Sequence, residues 1–380
     1  AISAVKCNSH RLVLETLAAL GTCFDCASED EIRKVISLGV SADRIIYAHP
    51  TKKINHLRYA AEVGVTAMTF DSECELYKIK KYYPEARLVL RIRHDDENAT
   101  FHLGEKFGVY PEDARDLLAI ARYLNLNVIG VSFHIGSSRG HHPDLNAFYG
   151  AIVAARRVFD EAVEQGYHFT LLDIGGGFCG NTGATLYEVG EVVNDVLDRY
   201  FPEPNIDVIA EPGQYYVSSA FSLITQIHTK KVVDGQDIAR MYFTDVSVYN
   251  SMIDVVFKVH FDMSPVKTRK QNSRKLPSIV WGPTCCSNDK ISGDVIYLPE
   301  LFVGDWLKIH DTGAYSISVA SHFNGFPLPN VHAFIRKEDV IFLTEKVDHP
   351  LPKEKFVFGD SIEGLLTGLT LPSRYITNYF

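Results

Sequence analysis

The sequence predicts an α/β protein, a (β/α)8 TIM-like barrel followed by a second, mainly antiparallel β domain. Three observations carry this expectation. Short apolar runs alternate with helical patterns up to about residue 211, the run Leu171-Leu172-Asp173-Ile174 ends in three consecutive glycines, and the alternation stops after Gly213. Strands alternating with helices mean right-handed βαβ units and a parallel sheet, and eight such units suit a closed barrel better than an open sheet.

The expected strands are Ile2 to Lys6, Cys23 to Asp25, Ile45 to Tyr47, Ala67 to Phe70, Leu88 to Ile92, Val128 to Phe133, Leu171 to Ile174 and Val208 to Glu211. Between them, helical patterns cover Arg11 to Leu20, Glu29 to Leu38, Lys53 to Val63, Ser72 to Tyr82, Pro111 to Leu124, Leu145 to Gln165 and Leu186 to Tyr200. Gly21, Gly39, Gly64 and Gly166 fall where helices should stop, as C-terminal caps. Beyond Gly213, strand-like segments follow one another without helices: Ala220 to Val233, Arg240 to Val248, Pro277 to Trp281, Val295 to Leu298, Asp305 to Ile309 and Ser316 to Ala320. The expected domains are therefore a barrel over 1–219 and a β domain over 220–380. Lys267 to Lys275 is basic, polar and aperiodic, which reads as a mobile loop, and the residues after about 330 show no clear period.

A chain of 380 residues, 46% hydrophobic and 22% charged, exceeds what one core usually serves. Its net charge of −9 argues against nucleic acid or an anionic membrane as a general partner, since both need a basic surface. No run approaches the roughly eighteen apolar residues of a membrane span. Ala1 to Cys7 carry no basic leader or cleavage site, so no signal peptide is expected. Seven scattered cysteines, an odd number, suit reduced thiols and a cytoplasmic location better than a disulfide framework. Cys23 and Cys26 have C-x-x-C spacing without a second pair of ligands nearby, so no metal is assigned.

In a barrel of this kind the chemistry sits at the C-terminal ends of the strands. There the sequence places Lys6, Asp25, His49, Asp71, Arg91, His134, Gly175, Gly176, Gly177 and Glu211. Three glycines let the backbone turn and bring N–H groups close to an anion, a phosphate cradle. Taken alone they are equally a tight turn, as a lysine alone is a solvated charge; it is the convergence that points to a site. A phosphate cradle, a lysine, a carboxylate and an imidazole are the parts of a pyridoxal 5'-phosphate site. There Lys6 forms a Schiff base, Glu211 keeps the pyridine nitrogen protonated, His134 stacks on the ring and Arg91 supports the carboxylate.

Several strings, in this order, resemble the eukaryotic-type ornithine decarboxylases: Ala4-Val5-Lys6-Cys7-Asn8, Phe24-Asp25-Cys26-Ala27-Ser28, Phe133-His134-Ile135-Gly136-Ser137, Asp173-Ile174-Gly175-Gly176-Gly177-Phe178, Glu211-Pro212-Gly213, Trp281-Gly282-Pro283-Thr284-Cys285, Gly304-Asp305-Trp306 and Gly313-Ala314-Tyr315. The resemblance runs from residue 1 to about Phe326. It implies a pyridoxal-phosphate-dependent amino-acid decarboxylase with an alanine-racemase-like barrel, and an N-terminal stretch upstream of residue 1 that contributes to the β domain. It makes Lys6 the Schiff-base lysine, Glu211 the partner of the pyridine nitrogen and His134 the stacking imidazole. Ser137, Gly177 and Tyr315 become phosphate ligands, with Gly175, Gly176 and Gly213 beside them, while Asp25 and Arg91 orient the site. Cys285 becomes the thiol that a neighbouring subunit presents to protonate the carbanion, which implies a head-to-tail homodimer with shared active sites. The segment Val63 to Leu88, with Lys78, Lys80 and Lys81, resembles the surface by which family members bind antizyme.

Three positions depart from the family. Gln214 stands where it has a phosphate-binding arginine, and Val246 and Cys286 stand at the two acidic positions that hold the distal ammonium of ornithine. Asp245 is one residue away but on the opposite face of a strand. With Phe323, these residues form the expected substrate-binding set. Without either carboxylate a distal ammonium would be left desolvated and unpaired. Three readings follow: a decarboxylase of a neutral or apolar amino acid, an ornithine or lysine decarboxylase of polyamine synthesis with a rearranged distal site, and a catalytically silent regulator like the antizyme inhibitors.

Overall fold

The computed structural model describes residues 2–94, 99, 101–137, 145–183, 186–233, 237–267, 274–336, 338–339 and 356–359. Eight parallel strands lie side by side in chain order: β1 (Ile2–Ala4), β2 (Cys23–Cys26), β3 (Ile45–Tyr47), β4 (Ala67–Phe70), β5 (Arg87–Arg91), β6 (Asn127–Ser132), β7 (Leu171–Asp173) and β8 (Asp207–Ile209). The Ile2 N–H donates to the Ala210 carbonyl at 3.0 Å, linking the first strand to the chain just after the last. Seven helices make the crossovers: α1 (Arg11–Ala19), α2 (Glu29–Ile36), α3 (Ile54–Val63), α4 (Glu73–Tyr82), α5 (Ala114–Tyr123), α6 (Leu145–Glu164) and α7 (Tyr187–Tyr200). Gly21, Gly39, Gly64 and Gly166, all at φ near +80°, end helices as expected.

Strand periodicity builds the barrel interior in layers. Ile2, Cys23, Ile46, Ala67, Val89, Ile129, Leu171 and Ile209 pack together as an apolar floor. Alternate side chains share a face, so a step of two along four of these strands, or just past β8, reaches the same side one layer higher. That step lands on Asp25, Thr69, Arg91, Asp173 and Glu211. The outward-facing residues, among them Phe24, Tyr47, Met68, Leu88, Leu90, Val131 and Leu172, form the large core under the helices.

After the four-residue helix α8 (Gln214–Val217), a six-stranded sheet runs in the order β11-β14-β9-β10-β12-β13, from β9 (Leu223–Val232), β10 (Arg240–Thr244), β11 (Met263–Pro265), β12 (Lys275–Trp281), β13 (Ile296–Pro299) and β14 (Trp306–Ile309). All its pairings are antiparallel except β10 with β12. A helix, α9 (Val248–Ser251), opens on a Ser247–Asn250 capping box. It corrects the expected strand Arg240 to Val248, which stops at Thr244, because Ser247 signals a helix start. The expected strand Ser316 to Ala320 is also corrected: Ile317–Val319 is a 3-10 turn. The Ser316 hydroxyl bonds back to the Thr312 carbonyl there, a local bond that competes with a ladder. Of the Lys267 to Lys275 segment, residues 268–273 lie outside the described residues. So does the chain after residue 339 apart from 356–359; β15 (Ala333–Arg336) and β16 (Phe356–Gly359) form a parallel pair.

Candidate active site

Lys6 does not continue β1. It sits in the 3-10 turn Val5–Cys7 directly after it. That turn is held by a segment from the far end of the β domain. The Tyr315 N–H donates to the Cys7 carbonyl at 2.9 Å, the Ser318 hydroxyl to the same oxygen at 3.1 Å, and the Asn8 amide to the Gly313 carbonyl at 2.8 Å. The turn aims the Lys6 ammonium at Asp25 on the neighbouring strand, and the two form an ion pair. Enclosure disfavours the Lys6 charge, but Asp25, Tyr315 and Glu211 outweigh it and hold the amine above the ordinary lysine range.

Around this pair the inward layer is crowded with acids. Burial, then Asp173 and Asp25, push Glu211 well above the usual carboxylate range. Burial chiefly pushes Asp173 up to about 7, although its Oδ1 accepts the Gly175 N–H at 2.9 Å. The Arg91 guanidinium faces Glu211, Asp71, Asp173 and Asp25, and packs 5.2 Å from the Phe107 ring centre. Burial, Arg91 and Lys6 keep His134 neutral. Its Nδ1 accepts the Gly136 N–H at 3.1 Å, which assigns the ring proton to Nε2. Asp25 Oδ1, Thr69 Oγ1, Ser132 Oγ, Asp173 Oδ2 and Glu211 Oε1 are all buried without a hydrogen-bond partner among the described residues. Five orphaned polar atoms on one barrel end are far from the rule for buried groups, and they fit a polar guest at that end.

The glycines are dictated by close approach. A Cβ on Gly175, at φ +63°, would lie 2.2 Å from the Phe133 carbonyl oxygen. One on Gly176 would meet His134 Nε2 at 2.8 Å and the Glu211 carbonyl at 3.0 Å, and one on Gly177 would meet Ile135 at 3.1 Å. Gly213 passes as tightly over Cys7, at 2.8 Å. The glycine loop thus lies against the His134 to Ser137 segment, and the Gln214 amide spans to the Ser137 hydroxyl at 2.5 Å. Bare N–H groups, a hydroxyl, a buried neutral amide and Tyr315 nearby are an anion-binding set.

A second group gathers on the β domain. Asp289, buried, accepts from the Val248 N–H at 2.8 Å and from Thr284 N–H and Oγ1 at 3.0 and 2.6 Å, tying the loop after β12 to α9. On that loop Cys285 is exposed, its N–H donating to Asn324 Oδ1 at 3.0 Å. The Tyr249 hydroxyl donates to Cys286 Sγ at 2.9 Å, and the Tyr249 ring packs 4.6 Å from Phe323. Two expected substrate residues do not join this group. Val246 is packed in the sheet core, and the Asp245 carboxylate accepts from Thr225 Oγ1 at 2.5 Å and the Gln226 N–H at 3.1 Å.

Sequence reasoning passed over Asp173, Tyr249 and Asp289. Asp173 did carry a signal, because an aspartate two residues before a glycine can bond its N–H in an Asx-turn.

Comparison with known proteins agrees with this architecture. The family profile described as the pyridoxal-dependent decarboxylase, pyridoxal binding domain matches residues 2–218, and that of the C-terminal sheet domain matches residues 214–313. Ornithine decarboxylase of Mus musculus is 43% identical over 366 residues, covering 92% of this chain and 78% of that protein. Antizyme inhibitor 2 of Xenopus laevis is 45% identical over 343 residues, covering 87% and 74%. The crystal structure of the Paramecium bursaria Chlorella virus arginine decarboxylase superposes with a TM-score of 0.81 at 38% identity, covering 86% of this chain and 87% of that one.

Proposed function

Because the chain belongs to the pyridoxal-phosphate-dependent decarboxylases of the eukaryotic ornithine decarboxylase type, we propose that it decarboxylates an L-amino acid whose side chain is neutral or apolar. What supports the substrate class is the Cys286–Tyr249–Phe323 group, a thiol, a phenol and a ring gathered at one of the two positions where the family resemblance puts a distal carboxylate. Asp245 has its carboxylate engaged by β9, which leaves it poorly placed to substitute.

The family's cofactor, pyridoxal phosphate, fits the residues present. When bound it supplies an electron-withdrawing ring that takes up the electron pair left as carbon dioxide departs. The rest falls to the chain. Lys6, whose charge Asp25 holds in the cofactor-free chain, would carry the cofactor's aldehyde carbon once it has given up its proton. The glycine loop, Ser137, Gln214 and Tyr315 bind the phosphate. Glu211, whose Oε1 has no partner among the described residues, would accept the ring N–H, and Arg91 balances the acids beside it. His134, kept neutral, would cover the ring face without adding a competing charge. Cys285 Sγ, presented by a second copy in a homodimer with shared sites, would be the group that holds the proton for the carbon that loses its carboxylate.

Two other readings have specific support. Ornithine and lysine decarboxylases are among the relatives and solved neighbours, which favours a diamine precursor bound by a rearranged distal site. The likeness to an antizyme inhibitor favours an antizyme-binding role through Val63 to Leu88, where Lys80 and Lys81 are exposed and Lys78 is paired with Glu75 at 2.5 Å. One set of measurements separates the three. Borohydride reduction of the cofactor-loaded chain should label Lys6, and a decarboxylation screen over ornithine, lysine, arginine, leucine, phenylalanine and tyrosine should favour a neutral substrate. Preference for ornithine or lysine would establish the second reading. No label and no turnover, with capture by antizyme in a pull-down, would establish the third.

A further inference from the structure

We infer that Cys285 and Cys286 are a modification site, a vicinal thiol pair that peroxide closes into a disulfide within one chain. Among the seven cysteines this is the only adjacent pair, and both of its thiols are free. The two thiols are unlike in a way that divides the chemistry. Cys285 is exposed and meets the oxidant, whereas Cys286 is half-buried and its sulfur takes the Tyr249 O–H at 2.9 Å. The backbone keeps the pair together. Asn324 holds the Cys285 N–H at 3.0 Å, Thr284 Oγ1 takes the Cys286 N–H at 3.4 Å, and buried Asp289 anchors Thr284. Phe323, against the Tyr249 ring, keeps the phenol in place. Cys23 and Cys26 lack this arrangement: they are three residues apart on β2, and burial raises the Cys26 thiol well above its usual range.

The reaction balances with hydrogen peroxide as the only co-reactant. The Cys285 thiolate attacks a peroxide oxygen; an S–O bond forms, the O–O bond breaks, and hydroxide leaves to become water. The Cys286 thiolate then attacks the sulfenic sulfur; the S–S bond forms, the S–O bond breaks, and a second water leaves. Two thiols are oxidised and one peroxide is reduced. A reductant of the dithiol class reverses the closure. The consequence for turnover rests on the decarboxylase reading, because the bridge removes the proposed proton donor and alters the substrate-facing thiol together. The thiol chemistry itself does not rest on that reading.

The test treats the reduced full chain with hydrogen peroxide, counts thiols with dithionitrobenzoate and weighs the tryptic peptide Leu276 to Lys290, which holds both cysteines. Two of the seven thiols should disappear together, the peptide should become about 2 Da lighter, and dithiothreitol should restore both. In Cys286→Ser, Cys285 should go on to the sulfinic acid, about 32 Da heavier, for want of a resolving thiol. In Cys285→Ser the peptide should keep its mass under the same treatment. Phenylarsine oxide, which condenses with two thiols and releases water, should bind the parent once and protect the pair. A sulfinic acid at Cys285 in the parent while Cys286 can still be alkylated would overturn the inference, as would a bridge between two chains or first reaction at Cys74. Closure of the bridge in a chain that decarboxylates nothing would refute the functional reading alone.

Discussion

Replacing Asp173 with asparagine should stabilise the cofactor-free protein, and only above the pH at which the buried carboxyl ionises. Asp173 is 1% exposed and burial lifts it from 3.8 to about 7. Its folded value lies above its unfolded one, so folding takes up a proton between about pH 4 and 7. The cost of an ionised carboxylate inside the barrel is absent below that window and fully present above it. At about 1.4 kcal/mol per tenfold, the interval sets a ceiling of roughly 4 kcal/mol, and sharing the proton with Glu211 beside the Arg91 charge brings the expectation nearer ~2 kcal/mol. Asparagine keeps an oxygen for the Gly175 N–H and gains an N–H that can donate to Glu211, so the substitution removes the charge and little else. Urea unfolding of both proteins, followed by tryptophan fluorescence, should show a higher midpoint for Asp173→Asn at pH 8 and coincident curves at pH 4. A variant less stable at pH 8, or equally more stable at both, would refute the account of the crowded acids.

Three further outcomes follow from the same packing. Gly175→Ala forces a Cβ to within 2.2 Å of the Phe133 carbonyl at a left-handed φ, and should cost on the order of 2 to 4 kcal/mol in unfolding experiments; an unchanged midpoint would mean that the loop moves freely. Gln214→Arg restores a guanidinium beside Ser137 and should lower the dissociation constant of pyridoxal phosphate about tenfold, whereas weaker binding would show that this side chain does not face the phosphate. Lys52→Met breaks a buried pair at 2.9 Å that also holds the carbonyls of His49 and Thr69, and should cost roughly 3 kcal/mol, the lower end for buried pairs because Lys78 still partners Glu75. A loss no larger than that of an exposed lysine would remove the pair from the account of barrel stability.

The barrel was legible because its strands are short apolar runs set between amphipathic helices, and because the two-residue step from floor to polar layer can be counted. Asp25, Arg91 and Glu211 lie on that step, while Lys6 and His134 follow the ends of β1 and β6. Asp173 escaped because it lies within Leu171–Ile174, where an apolar run absorbs a charged residue unless its turn bond is foreseen. The β domain was less readable, since its strands are bounded by local side-chain bonds. Ser247 starts a helix and Ser316 tightens a turn, and neither changes the apolar pattern around it. Met263–Pro265 was missed because three residues ending in proline read as a break, though the strand pairs with β14. Where Asp245 and Val246 go depends on β9 and the sheet core, contacts that spacing along the chain does not reveal.

The clasp between Cys7 and the segment from Gly313 to Ser318 closes a loop of about 300 residues around the turn that carries Lys6. On a ribosome adding roughly 5 to 20 residues per second, that turn waits on the order of 15 to 60 seconds for the segment that fixes it. The apolar floor and most helices can assemble during this interval, as their contacts lie within neighbouring βα units. The lysine turn cannot be fixed until the clasp is made. Cofactor capture therefore belongs to the last stage of maturation, and a chain stopped before residue 313 should fold a barrel without fixing the lysine within it.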